Sequence, residues 1–303
     1  MTQYLSAVHA QLAEAAAGRP GAYFDEDVTA PPRHWSSAEL EQAFDRAEAL
    51  AAFSTPEVAV NPVELASLVR ARVEADPRID VRLERLVVGV ADEGGRMSVR
   101  TEGLDGAAIE SFDYVVNALW EGRLAIDKNM GLSLARPWLH RLKYGVSFRL
   151  PADARVPPSA TFISGPFGEV VSYRDGLTYL TWYPTCQHGL SQDIAPPDWA
   201  TYPDEALSRR IVEGTVTALA RIVPALADLD PDALPELVVK GGAIVAWGST
   251  DIYDPASELH TRYAIGVSSH GRYHTIDPGK LTMAPYFAGV VADRIRPISR
   301  QAA

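Results

Sequence analysis

Apolar and polar positions along the chain switch between a helical and a two-residue period, and the switches mark the elements. Residues 4–17 are Ala-rich with helical spacing, and Gly18-Arg-Pro-Gly21 stops that helix. Residues 25–33 read as a loop around Pro31-Pro32. Ser36-Ser37 then caps a second helix that runs to about residue 51, with Ser37 and Leu40-Glu41 in a capping arrangement. Residues 53–60 are short and extended. Asn61-Pro62 sets a capping side chain before a proline at the first helical position. The helix over 63–75 aligns Leu65, Leu68, Val69 and Val73 on one face, and Asp76-Pro77 ends it.

Strands follow. Residues 79–83 and 97–101 alternate, 86–90 is a continuous apolar run, and Gly94-Gly95 is a turn. Residues 111–119 centre on Tyr114-Val115-Val116, the pattern of a strand buried on both faces in a parallel sheet. Ligands of such sheets gather beyond the carboxyl ends of the strands, and the small Ala118 there permits close approach to the backbone. Residues 143–150, 160–164, 168–173 and 177–183 form an aromatic-rich antiparallel sheet, with Arg174-Asp175-Gly176 as a hairpin turn. A Pro-containing loop over 186–203, a helix over 206–222 and a strand over 237–247 come next.

Residues 263–267 are a short strand, 268–280 a polar turn, and 281–295 a helix with Leu281, Ala284, Phe287, Ala288, Val291 and Ile295 in register. Gly271, Asp277, Pro278 and Gly279 give this turn little regular propensity. A Gly-rich turn that feeds a helix leaves backbone N–H groups free at the positive end of the helix dipole, which suits an anion such as phosphate.

Composition narrows the function classes. The 303 residues carry a net charge of −11 without a basic patch, so nucleic acid is not an expected partner. Cys186 is the one cysteine, which leaves no disulfide framework and no thiolate zinc cluster. No apolar run is long enough to span a membrane, and the first residues lack a basic, cleavable leader, so a cytoplasmic protein is expected. The sequence contains no Gly-x-Gly-x-x-Gly, no phosphate loop, no His-Glu-x-x-His and no Gly-x-Ser-x-Gly. Its seven histidines have no metal-ligand spacing beyond His270 and His274, which fall in the polar turn. Cys186, two residues before His188, reads as a half-buried structural thiol.

Four blocks, taken in order, carry a family resemblance. They are Ala59-Val-Asn-Pro-Val-Glu-Leu-Ala66, the pair of strands over 81–90, Tyr114-Val-Val-Asn-Ala118 and Asp277-Pro-Gly-Lys-Leu-Thr282. Together they resemble the FAD-dependent oxidoreductases of the D-amino-acid oxidase and glycine oxidase superfamily. The last block is similar to the closing motif of FAD-dependent glycerol-3-phosphate dehydrogenase. The resemblance covers residues 53–295. It implies a mixed α/β fold: an incomplete Rossmann-like FAD-binding domain over 53–136 and 237–300, an inserted antiparallel substrate sheet over 137–236, and a helical segment over 1–52.

The resemblance also implies site residues. Val87 would meet the adenine through its backbone and Ala118 would lie near the diphosphate. Gly271, Asp277, Gly279, Lys280, Leu281 and Thr282 would close over the flavin. Arg272, Tyr273 and His274 beside that turn, with Tyr183 and Lys143 on the sheet, are the substrate-facing candidates for oxidation of an amine, amino acid or hydroxy acid by hydride transfer to flavin. The departures are the missing Gly-x-Gly-x-x-Gly and Leu119-Trp120 in place of Ala-Gly. They lead to the expectation of a truncated or degenerate oxidoreductase, or of a partner chain that supplies the N-terminal unit. The alternative is a non-catalytic, flavoprotein-like scaffold that no longer binds FAD.

Overall fold

The computed structural model describes residues 2–17, 28, 30–134, 136–260 and 265–301, with side chains to residue 295. The chain runs α1 (Thr2–Ala16), β1 (Arg33–His34), α2 (Ser37–Ala43), β2 (Phe53–Ser54), α3 (Pro62–Glu74), β3 (Arg85–Asp92), β4 (Met97–Gly103), β5 (Gly106–Phe112) and β6 (Val115–Asn117). It continues through α4 (Arg123–Asn129), β7 (Trp138–Arg149), β8 (Ala160–Phe162), β9 (Gly168–Ser172), β10 (Leu177–Trp182), α5 (Tyr183–Cys186) and β11 (Gln187–Ser191). Then come α6 (Glu205–Ile222), β12 (Val238–Trp247), β13 (Gly266–His270), β14 (Tyr273–Asp277) and α7 (Ala284–Gln301). Two compact units share these elements: residues 1–70, 144–186 and 202–240 in one, and 71–143, 187–201 and 241–303 in the other.

The first unit contains the antiparallel sheet expected from the alternation. The second half of β7 pairs with β10, β10 with β9, and β9 with β8. The turn over 174–176 closes the β9–β10 hairpin, with Gly176 at φ 85°. Val146, Phe148, Val170 and Leu180 are buried on it, and α6 packs against β10. Asp204 caps α6 by accepting from the Leu207 N–H at 2.7 Å. The buried stripe of α6 is Ile211, Val212, Thr215, Val216, Leu219 and Ile222. Cys186 is fully buried, 3.3 Å from Thr215 Oγ1. The expected 186–203 loop begins instead with α5 and β11.

Helix α2 is shorter than its pattern suggested. Ser36 is its cap, in a reciprocal box with Glu39. The helix stops at Ala43, because the Asp45 N–H turns away to the Ile222 carbonyl and the Asp45 carboxylate accepts from the Ala47 N–H. Asn61 caps α3 as expected, accepting from the N–H groups of Val63 and Glu64. The apolar face of α3 stays open: Leu68 and Val69 are exposed, so its periodicity does not mark a buried stripe here.

The second unit holds two three-stranded sheets. β3, β4 and β5 form an antiparallel meander. The segment 79–83 is not a strand; its alternation finds no partner strand. The third strand of the meander is β5, which takes up the beginning of the expected 111–119 strand. A register shift between Val87 and Gly89 frees the Val90 N–H, which donates to Asn129 Oδ1 of α4 at 2.8 Å.

The other sheet has the order β13–β14–β6. β14 and β6 are parallel, with Tyr273 opposite Val115 and Thr275 opposite Asn117. β13 and β14 form an antiparallel hairpin. The polar stretch expected as a turn is therefore largely a hairpin, with only Gly271 and Arg272 at its bend; neighbouring strands satisfy backbone groups of residues with little strand propensity. The parallel arrangement of β6 matches its pattern. Burial on both faces does not, since Val116 is 41% exposed. A core of Val90, Met97, Ile126 and Tyr273 joins the meander to this sheet through α4.

Candidate functional site at the carboxyl ends of β6 and β14

The carboxyl ends of β6 and β14 carry Asn117, Thr275 and Asp277, and α4 brings Arg123 and Asp127 to them. Asp127 is nearly fully buried and accepts from four side chains. Oδ1 takes the Tyr273 hydroxyl at 2.7 Å and Asn117 Nδ2 at 3.0 Å; Oδ2 takes Arg123 Nη1 and Thr275 Oγ1, each at 3.1 Å. Four donors, one of them a guanidinium, compensate the cost of burying the carboxylate. Asn117 Nδ2 is also 2.8 Å from the Tyr273 hydroxyl oxygen and 3.0 Å from the Arg123 carbonyl. Burial, reinforced by the hydrogen bond to the Asp127 carboxylate, raises the Tyr273 phenol far above its ordinary pKa, so it stays a donor.

Beside this network opens a cleft of about 320 Å³, lined by Arg123, Arg136, Trp247, residues 265–268, Thr275 and Asp277. Arg123 and Arg136 both lie over the Trp247 indole, at 5.4 and 5.2 Å from its centroid. Arg136 Nε donates to Glu258 at 3.1 Å. Arg123 spends Nη1 on Asp127, while among the described residues its Nη2 has a loose ion pair with Asp277 at 3.5 Å.

The residues singled out from the sequence fall in several places. Asp277 lines the cleft and accepts from the Gly279 N–H at 3.3 Å. Gly279 has φ +61°, and a Cβ there would sit 2.5 Å from Ile265 Cδ1, so both conformation and packing demand glycine. Lys280, Leu281 and Thr282 are exposed; Leu281 and Thr282 lie in the single 3₁₀ turn before α7, which no side chain caps. Gly271, at φ +60°, and Arg272 form the β13–β14 bend at the opposite end of the hairpin from Asp277. Arg272 packs over Tyr114 at 5.2 Å and donates to the Asp113 carbonyl.

Tyr273 and His274 point into packed surroundings. Tyr273 is fully buried in the Asp127 network. His274 Nδ1 is 2.9 Å from Ser269 Oγ, its cross-strand neighbour, and Ser269 Oγ accepts from Arg294 of α7 at 2.8 Å. Burial, with Arg294 and His270 nearby, holds the His274 imidazole below its usual pKa. The Tyr273 and His274 side chains therefore reach a substrate only if this packing opens.

Val87 is half-buried at the β3 bulge, against the Val90–Tyr273 core. Ala118 is exposed just past β6. Lys143 is half-buried on β7 in the second unit; Tyr183 belongs to the first unit, edge-on to Phe167 at 6.2 Å. Arg123, Asp127, Arg136 and Trp247 were not singled out, since none belongs to a short motif. The one sequence signal was their position after a buried-type strand ending in Asn117. Among the described residues no group of His, Cys, Asp or Glu forms a metal site, and no helix is long and apolar enough to cross a membrane.

The cleft suits part of a dinucleotide. It has guanidinium N–H for phosphate, hydroxyls and a carboxylate for a polyol, an indole face, and the volume of a small ligand site. It lies where open sheets bind ligands.

No protein-family model and no curated protein matches this sequence. Solved structures do match in fold. Glycine oxidase from Geobacillus kaustophilus aligns with a TM-score of 0.59 at 15% identity, over 88% of this chain and 63% of that one. L-alpha-glycerophosphate oxidase from Mycoplasma pneumoniae, a structure with FAD bound, aligns with a TM-score of 0.59 at 15% identity, over 93% and 68%. L-proline dehydrogenase from P. horikoshii aligns with a TM-score of 0.53 at 14% identity, over 81% and 58%. The chain thus shares the mixed α/β fold of these proteins and spans less than two thirds of the glycine oxidase and the proline dehydrogenase.

Proposed function

We propose that the chain is an FAD-dependent oxidoreductase acting on a small amine, amino acid or hydroxy acid. The observation that supports this most is the parallel pair β6–β14, which ends in the Arg123–Asp277 cleft, within a fold shared with a glycerophosphate oxidase that binds FAD. In this reading segments 53–136 and 237–300 hold the cofactor and 137–236 carries the substrate-side sheet. Val87, Ala118, Asp277 and the run Gly279-Lys-Leu-Thr282 contribute to the cofactor side. The flavin, when bound, supplies a two-electron acceptor for a hydride from a substrate C–H.

The residues' own parts are modest and physical. Asp127 fixes Arg123 and keeps Tyr273 protonated. Trp247 gives the cleft an apolar wall that excludes water and strengthens the charge interactions of the arginines. The 3₁₀ turn at 281–283 has no side-chain cap, and its first N–H groups, from Leu281 and Thr282, are the candidate backbone donors on the cofactor side. Arg272 is the candidate cation for a substrate carboxylate, and His274 a candidate base gated by its burial. Purified protein titrated with FAD tests the reading: saturable uptake with quenched flavin fluorescence is expected, and failure to bind refutes it.

A second reading, a scaffold of the same fold that holds no flavin, has one observation in its favour. The Asp127 carboxylate takes all four of its hydrogen bonds from side chains of this chain, so it needs no ligand to satisfy it. The same titration decides between the two.

A further inference from the structure

We infer that Arg123 and Arg136 form a side-chain grip for the diphosphate of the dinucleotide, in the cleft walled by Trp247. The inference rests on the flavin reading for the identity of the ligand, and on the cleft itself for the grip.

Three features of the cleft carry it. First, Arg123 is 6% exposed, yet its guanidinium is only half engaged. Nη1 is bonded to Asp127, while Nη2 approaches Asp277 at 3.5 Å and makes no hydrogen bond among the described residues. A buried guanidinium that lines a cleft with donors to spare is held ready for an acceptor. Second, three neutral donors, from Tyr273, Asn117 and Thr275, fix the Asp127 carboxylate in place, so it covers one edge of the Arg123 guanidinium and does not swing to cover the other. Third, Arg136 lines the same cleft, lies over the same indole and is anchored through Glu258, so two cations share one opening. A planar guanidinium offers two parallel N–H groups to two oxygens of a tetrahedral phosphate, which a lysine ammonium does not.

Asp277 and Glu258 oppose the anion, and this gives the inference a distinctive sign. The incoming diphosphate takes Nη2 of Arg123 from Asp277, whose carboxylate then faces the ligand. Removing the Asp277 charge therefore strengthens binding of a simple diphosphate, whereas a purely structural role for Asp277 predicts no gain.

The test is isothermal titration of the full chain with inorganic pyrophosphate and, separately, with FAD, followed by competition between them. Pyrophosphate is expected to bind, to displace FAD, to lose roughly tenfold or more in affinity in Arg136→Ala and Arg123→Lys, each losing a charge-assisted contact, and to gain affinity in Asp277→Asn. Arg136 is partly exposed, so its variant separates binding from folding, with thermal melting as the control. If FAD binds but pyrophosphate does not compete and the arginine variants bind FAD unchanged, the grip is wrong and the flavin reading stands. If pyrophosphate binds with this variant pattern but FAD does not, the grip stands and the flavin reading falls. If neither binds, the grip is overturned.

Discussion

Asp127→Ala is the perturbation that most directly probes the site's architecture. The residue is 3% exposed and its carboxylate accepts from Tyr273, Asn117, Thr275 and Arg123. Truncation leaves the Arg123 guanidinium with only the 3.5 Å pair to Asp277, and it removes the acceptor of the Tyr273 hydroxyl. Breaking a buried pair on one side costs about 3–5 kcal/mol, because the remaining charge is stranded in low dielectric. At roughly 2–4 °C per kcal/mol for a domain of this size, the unit that contains β6 and β14 should melt roughly 6–20 °C lower. Differential scanning calorimetry reads the shift, and it resolves the two compact units if they unfold separately. The double variant Asp127→Ala/Arg123→Met removes both charges and should recover much of the loss, since replacing both partners of a buried pair is close to neutral. A single variant that melts within about 1 kcal/mol of wild type, or a double variant with no recovery, would refute the account of Asp127 as the anchor of Arg123.

Two further outcomes follow from the hairpin and the turn beyond it. Gly279→Ala forces a Cβ to 2.5 Å from Ile265 in a left-handed conformation, and should destabilise by about 1–3 kcal/mol in urea unfolding; an unchanged midpoint would mean that the turn relaxes freely. His274 is held below its ordinary pKa, so the folded state resists its protonation. Above about pH 6.5 the imidazole is neutral in both states; below it the unfolded chain takes up the proton first, and stability falls as pH drops toward the folded-state value. His140 is also lowered by burial and adds a slope of the same sign, so the quantity to measure is the wild-type slope minus that of His274→Gln. No difference between them contradicts the burial argument.

Local signals in the sequence were read well where one element satisfied itself. The Asn61 cap, the 206–222 helix and the 174–176 hairpin follow from residues adjacent in the chain. The parallel β6 was also legible, because Val115 and Val116 form a short apolar run ending in Asn117. Elements that depend on a distant partner were not. Residues 79–83 alternate without a strand to pair with, α2 ends because Asp45 bonds to Ile222, and the polar residues 268–277 become strands because β6 pairs with β14. The cleft was least legible of all. Arg123, Arg136 and Trp247 lie far apart in sequence and meet only through the tertiary fold. The residues that the resemblance named fall at both ends of the hairpin, Asp277 at the carboxyl end of β14 and Arg272 at its bend.

The most direct test of the central claim is an equilibrium titration of the purified full chain with FAD, read by flavin fluorescence and by visible absorbance after gel filtration. The account predicts a yellow protein with one FAD per chain, whose binding weakens in Arg136→Ala. A colourless protein that leaves free FAD fluorescence unchanged would contradict it.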